Sequence, residues 1–163
     1  MTLIFIGLFF IFISISVGGI NFTPAWIGYI LVVLGLAKTP DCPGRSTAMA
    51  VAAGSAVVSG ALWALGLFGR GFLFPVGAIV QVWTAYRLVL WCEEQEALEG
   101  SYHLRRLRLS WYALTGAMAA SILLGFLAPP MGWIWSLVAV GAAIVYIYTF
   151  YCLRRIAPQE LRG

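Results

Sequence analysis

The sequence predicts an all-α protein, a polytopic bundle of transmembrane helices that forms one domain over residues 1–163, in six segments of which the second is short. Three observations predict it. Hydrophobic residues make up 62% of the chain and charged residues only 10%, with a mean hydropathy of +0.94, which leaves too little polar surface to coat a soluble globule of 163 residues. The apolar residues fall in long blocks, several reaching the roughly 20 residues that an α-helix needs to cross a hydrocarbon layer about 30 Å thick. The blocks are solidly apolar rather than alternating, which argues against a β-barrel.

Segment 1 covers about residues 2–20; no Lys or Arg precedes it and no small-x-small site ends it, so it reads as a retained span rather than a signal peptide. Segment 2, residues 24–37, opens at Thr23-Pro24, a helix start in which the hydroxyl caps free amides and proline loses no hydrogen bond. At 1.5 Å per residue it measures only about 21 Å, so it either thins the membrane or re-enters it. A polar loop with Lys38, Asp41 and Arg45 leads to segment 3, residues 47–68, and a Gly69-Arg70-Gly71 turn leads to segment 4, residues 72–92. In the charged connector that follows, Glu93 to Glu99 extends segment 4, Gly100 breaks it, and Ser101 caps the next helix. Segment 5 is 109–128, Pro129 and Pro130 stop it, and segment 6 is 132–153.

With six crossings, Lys38, Arg45, Arg105, Arg106, Arg108, Arg154, Arg155 and Arg162 share one side and Arg70 stands alone on the other. The positive-inside rule makes the richer side cytoplasmic, together with both termini. A re-entrant segment 2 would change only the side of the N-terminus. Cys42, Cys92 and Cys152 all fall on the cytoplasmic side, where thiols stay reduced. The net charge of +4 is explained by these flanking residues, so no nucleic-acid partner is expected. The expected partners are the lipid bilayer and either a membrane protein or a second copy of the chain.

Helices in lipid associate through close packing of small residues. Segment 3 carries the row Ala52, Ala56, Gly60 and Ala64; segment 5 carries Ala113, Ala117, Ser121 and Gly125, with Gly116 and Ala120 on a neighbouring stripe. These rows either hold the monomer together, the commoner use, or face a partner. Segments 3 and 5 are therefore expected in contact, directly or across a two-fold axis, and Gly60→Leu is expected to destabilise the fold or the assembly.

Chemistry-bearing residues are few. Gln81 lies mid-segment with Thr84 one turn on, and a mid-membrane amide needs a partner, either an adjacent helix, the preferred reading, or a polar ligand. Trp133 and Trp135 can line a small-molecule site on the outer side, while Trp26, Trp91, Trp111 and Trp133 suit an interfacial belt. Arg87 can snorkel to the cytoplasmic surface or pair with Glu94. Arg105, Arg106 and Arg108 suit lipid headgroups or a docking partner, and in a hairpin the acidic end of segment 4 meets this basic start.

No Asp, Glu, Lys or His lies inside any predicted segment, which speaks against a proton-driven pump. No nucleophile–base pair or metal spacing is present, so neither an enzyme nor a cofactor is expected. The three cysteines and His103 match no zinc pattern.

From Gly19 to Leu36 the stretch GINFTPAWIGYILVVLGL resembles an N-terminal element of small uncharacterised bacterial multi-pass membrane proteins: a first span, a Gly-Ile-Asn linker, a proline and a WIGYI-like second helix. With the first span the element covers about a fifth of the chain. The resemblance implies a bacterial plasma membrane and no assigned chemistry. Size and layout are also similar to the substrate-binding subunits of energy-coupling-factor transporters, an architectural likeness from which no binding motif transfers. The expectation is a membrane-complex subunit or a small-molecule- or lipid-binding membrane protein; the alternative is a transporter or its substrate-binding subunit.

Overall fold

The computed structural model describes residues 1–13, 16–17, 20–21, 24–66, 74–95, 102–127 and 129–156. Among them lie six helices: α1 (Thr2–Phe12), α2 (Ala25–Ala37), α3 (Arg45–Gly66), α4 (Phe74–Glu93), α5 (Tyr102–Leu127) and α6 (Pro129–Ile156). Two strands of two residues, β1 (Ser16–Val17) and β2 (Ile20–Asn21), pair antiparallel between α1 and α2.

The first helix is shorter than the expected span 2–20. It ends at Phe12, where Ile13 turns extended with φ −109° and ψ 94°. The reason is visible in Ile13-Ser14-Ile15-Ser16-Val17, which alternates apolar and polar with β-branched residues and favours a strand. Val17 pairs with Ile20 and Ser16 with Asn21, a register with only Gly18-Gly19 between the strands in sequence, as a two-residue hairpin connection prefers.

Other boundaries also shift. Pro24 is the N-cap of α2 rather than its first helical residue. Helix α4 stops at Glu93, because the Gln95 side chain donates to the Trp91 carbonyl at 3.0 Å and satisfies one of the helix's last acceptors. The expected extension through Glu96 and Glu99 falls outside the described residues. Helix α5 begins seven residues before position 109, since Arg105, Arg106 and Arg108 are good helix formers and continue it.

Successive helices pack on one another from α1 to α6, and α1 also meets α6, so the chain closes into a ring. Phe5 against Tyr151, with ring centroids 5.4 Å apart, and Phe12 against Tyr146, at 6.0 Å, close it. Neighbours run antiparallel: Ile4 lies beside Gly35 and Ile11 beside Gly28, Trp26 beside Trp63, Ser55 beside Thr84, and Arg108 beside Glu93. This order brings Lys38, Arg45, Arg105, Arg106, Arg108, Arg154 and Arg155 to one end of the bundle.

That end is built by ion pairs. Arg108 grips Glu93 with two parallel contacts of 2.8 Å, joining the acidic end of α4 to the basic start of α5. Arg87 meets Glu94 at 3.5 Å, and Arg45 meets Asp41 at 2.9 Å. Gly44, just before α3, has φ +73°, and a Cβ there would overlap the Glu94 carboxylate.

The tightest helix contact is between α1 and α2, not between α3 and α5. A Cβ on Gly7 would lie 2.6 Å from the Gly28 carbonyl oxygen, one on Gly28 2.5 Å from that of Gly7, and one on Gly35 2.8 Å from the Ile4 nitrogen. Within the chain α3 packs on α2 and α4, while α5 packs on α4 and α6, so the expected direct contact of α3 with α5 is replaced by α4 between them. Ala52 is fully buried and Ala56 half-buried, but a Cβ on Gly60 would lie 3.9 Å from Trp26, in ordinary van der Waals contact, and Ala64 is exposed. Ala117 and Ser121 are buried, Ala113 is exposed, and Gly116 meets open space; the surroundings of Gly125 lie outside the described residues.

Among the described residues three helical stretches are long and apolar enough to cross a membrane: 45–65, 102–124 and 134–155. Helices α1 and α2, with 11 and 13 residues, are apolar but shorter, and the 20-residue α4 carries Gln81 and Arg87. Large apolar side chains face outward around the ring, Val57 at 73% exposure, Leu127 at 72% and Ile79 at 64% among them. Such a surface suits lipid far better than water.

Candidate functional site

The polar groups inside the ring converge on α4, which hydrogen-bonds every other helix. Its Gln81 amide donates to the Ile11 carbonyl of α1 at 3.0 Å. Thr84 bonds Tyr29 of α2 and lies 2.8 Å from the Ser55 hydroxyl of α3. The Val82 carbonyl accepts from the Trp111 indole of α5 at 3.3 Å, and the Ala85 carbonyl accepts from the Tyr146 hydroxyl of α6 at 2.9 Å.

These bonds assign different roles to the two polar residues singled out on α4. A hydroxyl has one proton and two lone pairs. Thr84 donates its proton to the Val80 carbonyl at 3.0 Å, so Ser55 is the donor in the contact between their two hydroxyls. At 2% exposure Thr84 is a buried structural contact between helices.

Gln81 is only partly used. The Ile11 carbonyl belongs to the last turn of α1, whose final acceptors have no partner within the helix. Because α1 ends inside the bundle, that acceptor needs an internal donor, and Gln81 supplies it. The amide has a second N–H and an acceptor oxygen, for which no partner occurs among the described residues.

That free side opens on a cavity of about 210 Å³ between the end of α1, α4, α5 and α6. Gln81, Ser121 and Ser136 supply its polar groups; the two serine hydroxyls lie 3.3 Å apart. Phe12, Met118, Ile122 and Val140 supply apolar walls, with Ala78, Ala139 and Ala143 leaving the space. An engineered apolar cavity of about 150 Å³ holds benzene, so this volume suits one small ring or a short branched molecule. The described lining contains no titratable side chain, so it supplies no general acid or base beside the Ser121 and Ser136 hydroxyls, and its polar groups suit binding of a neutral molecule.

Of the ligand residues read from sequence, only Gln81 lines this cavity. Thr84 lies behind it, Trp135 is half-buried elsewhere on α6, and the side chain of Trp133 is outside the described residues. Phe12, Met118 and Ser136 were not legible, because only the break of α1 and the α5–α6 pairing bring them to Gln81. Ser121 carries a dual signal, a small packing residue that also presents a hydroxyl.

The tryptophans divide as well. Trp91 is fully buried at 0% exposure, a core residue rather than an interfacial one, because it faces the ring interior near the end of α4. Trp26 packs edge-on against Trp63 at 6.3 Å, and Trp83 is the outward-facing ring of α4. The three cysteines are free thiols, and the described residues contain no group of three His, Cys, Asp or Glu able to hold a metal.

No family model matches this chain, and neither a curated protein nor a solved structure matches it.

Proposed function

We propose that the chain is a multi-pass membrane protein that binds a small neutral molecule at Gln81, within the thickness of the bilayer, without transforming it. One observation carries this reading: the cavity at the broken end of α1, where an amide already anchored to Ile11 keeps a donor and an acceptor free among apolar walls. Irregular backbone at membrane depth is tolerated where it lines such a space, and carriers place their sites at interrupted helices of this kind. The ligand is a monocyclic aromatic or compact aliphatic molecule with one group that can exchange hydrogen bonds with an amide.

The membrane reading uses all six helices. Segment 1 completes its crossing as a helix followed by a hairpin, and the basic end of the ring faces the cytoplasm by the positive-inside rule. The resemblance of the Gly19 to Leu36 element supports a bacterial plasma membrane as its location. A second reading, a subunit of a membrane complex, is favoured by Gly54, Gly77, Gly116 and Gly141, which present open backbone on the outside of the ring and leave room for a partner helix. Transport by this bundle, alone or as a substrate-binding subunit, would have to proceed without a titrating group among the described residues that line the cavity.

Native mass spectrometry of protein released in mild detergent tests these readings together. The wild type should retain a small organic mass, and Ala139→Leu, which pushes an isobutyl group into the cavity, should lose it while keeping the wild-type helical content. Equal retention by both variants, or none by either, would contradict the site. A stoichiometric second polypeptide with no small mass would favour the subunit reading instead.

A further inference from the structure

A second concavity lies at the charged end, between the start of α5 and the end of α6, with a volume of about 670 Å³. Its mouth is formed by Tyr102, His103, Arg105 and Arg106, and its depth by Leu109, Ala113 and Val145. We propose that this groove binds an anionic phospholipid, with the phosphate on Arg105 and Arg106 and one acyl chain along the α5–α6 seam. The inference rests on the membrane reading above.

Charge is the first support. The described carboxylates Asp41, Glu93 and Glu94 are engaged by Arg45, Arg108 and Arg87. Arg105 and Arg106 are exposed and have no carboxylate partner among the described residues, and no carboxylate is among the described residues lining the groove. Arg108, one turn on, points to Glu93 instead, so the three arginines grouped by sequence separate into two that can take a ligand and one that cannot. The Arg106 guanidinium lies over the Tyr102 ring, 5.3 Å from its centroid, a stacking that leaves the N–H edge free for phosphate oxygens. A zwitterionic headgroup brings its own cation, so two arginines without a carboxylate partner among the described residues select for net negative charge.

Shape is the second. From Tyr102 to Ala113 the groove follows α5 for roughly 16 Å, about half of the ~30 Å hydrocarbon layer and thus the depth of one leaflet. Its chemistry changes along that length from cationic and aromatic at the mouth to aliphatic below, in the order of a lipid's own headgroup and chain. A soluble phosphate would leave the apolar part unused. Ala113, exposed and small, leaves the floor open where a larger residue would close it.

The test titrates the detergent-released protein with phosphatidylglycerol or phosphatidylcholine of identical acyl chains and reads bound lipid by native mass spectrometry. The wild type should prefer phosphatidylglycerol; R105Q/R106Q should weaken its binding about 30-fold, roughly five-fold per cation. Ala113→Phe, which closes the floor without changing charge, should weaken it as well. Lys38→Gln removes an exposed cation at the same end of the bundle and should leave it unchanged. Equal binding of the two lipids, a loss with Lys38→Gln as large as with R105Q/R106Q, or full binding by Ala113→Phe would each overturn the proposal. Circular dichroism and a melting curve on each variant separate a lost site from a lost fold. A chain that resists alkaline extraction from membranes yet shows no lipid preference refutes this inference alone; a chain released by alkali refutes the membrane reading beneath it.

Discussion

Gly28→Ala is expected to separate α1 from α2 and to lower stability by about 3 kcal/mol, on the order of 10 °C in melting temperature for a chain of this size. The new methyl would stand 2.5 Å from the Gly7 carbonyl oxygen, 2.7 Å from Ile11 Cγ1 and 2.9 Å from the Ile11 nitrogen. Two of those three atoms are backbone, so no rotamer change relieves the overlap and the helices must move apart. The effect propagates, because Ile11 is also the residue whose carbonyl Gln81 holds. Gly7→Ala should behave alike, as the reciprocal member of the contact. Gly60→Ala and Gly116→Ala are the controls: the first has 3.9 Å to Trp26 and the second has open space, so each should be neutral or gain a few tenths of a kcal/mol from helix propensity. Equal melting temperatures for Gly28→Ala and Gly116→Ala would contradict the packing described.

Thr84→Val should cost about 1–3 kcal/mol although it preserves shape. Valine removes the hydroxyl that Ser55 and Tyr29 both bond and leaves those two buried hydroxyls without that partner, while the loss of the bond to the Val80 carbonyl matters less because that carbonyl stays inside its helix. Thr84→Ser keeps the oxygen and should recover most of the loss. Adding Ser55→Ala to Thr84→Val should cost less than the sum of the single changes, since the orphaned donor is then gone. Additive losses in chemical denaturation would show that the three hydroxyls are not one network.

The helical class and the approximate positions of five of the six described helices could be read from sequence because long apolar runs constrain backbone geometry strongly. The end of α1 is written in a different signal: hydrophobic content alone carries residues 2–20 through as one span, whereas the alternation from Ile13 to Val17 followed by Gly18-Gly19 is a hairpin pattern. The Glu93–Arg108 pairing followed from connectivity, since a short hairpin must place those two ends together. The packing glycines did not follow. Rows at four-residue spacing on α3 and α5 are a statistical sign of close helices, but whether a small residue meets a neighbour depends on which helix lies opposite. Gly7, Gly28 and Gly35 acquire meaning only once α1 and α2 are antiparallel. The cavity is a tertiary feature of the same kind, and Gln81 alone, as an amide stranded among apolar residues, advertised it.

Cysteine accessibility in cells tests the membrane-embedded ring and its orientation most directly. Cys42 and Cys152 are half-buried, Cys92 is fully buried, and all three lie at the basic end. A membrane-impermeant maleimide applied to intact cells should label none of them; after permeabilisation Cys42 should react, and Cys92 should stay unmodified until the fold is lost. Labelling of Cys42 and Cys152 in intact cells would put the basic end outside and contradict the account.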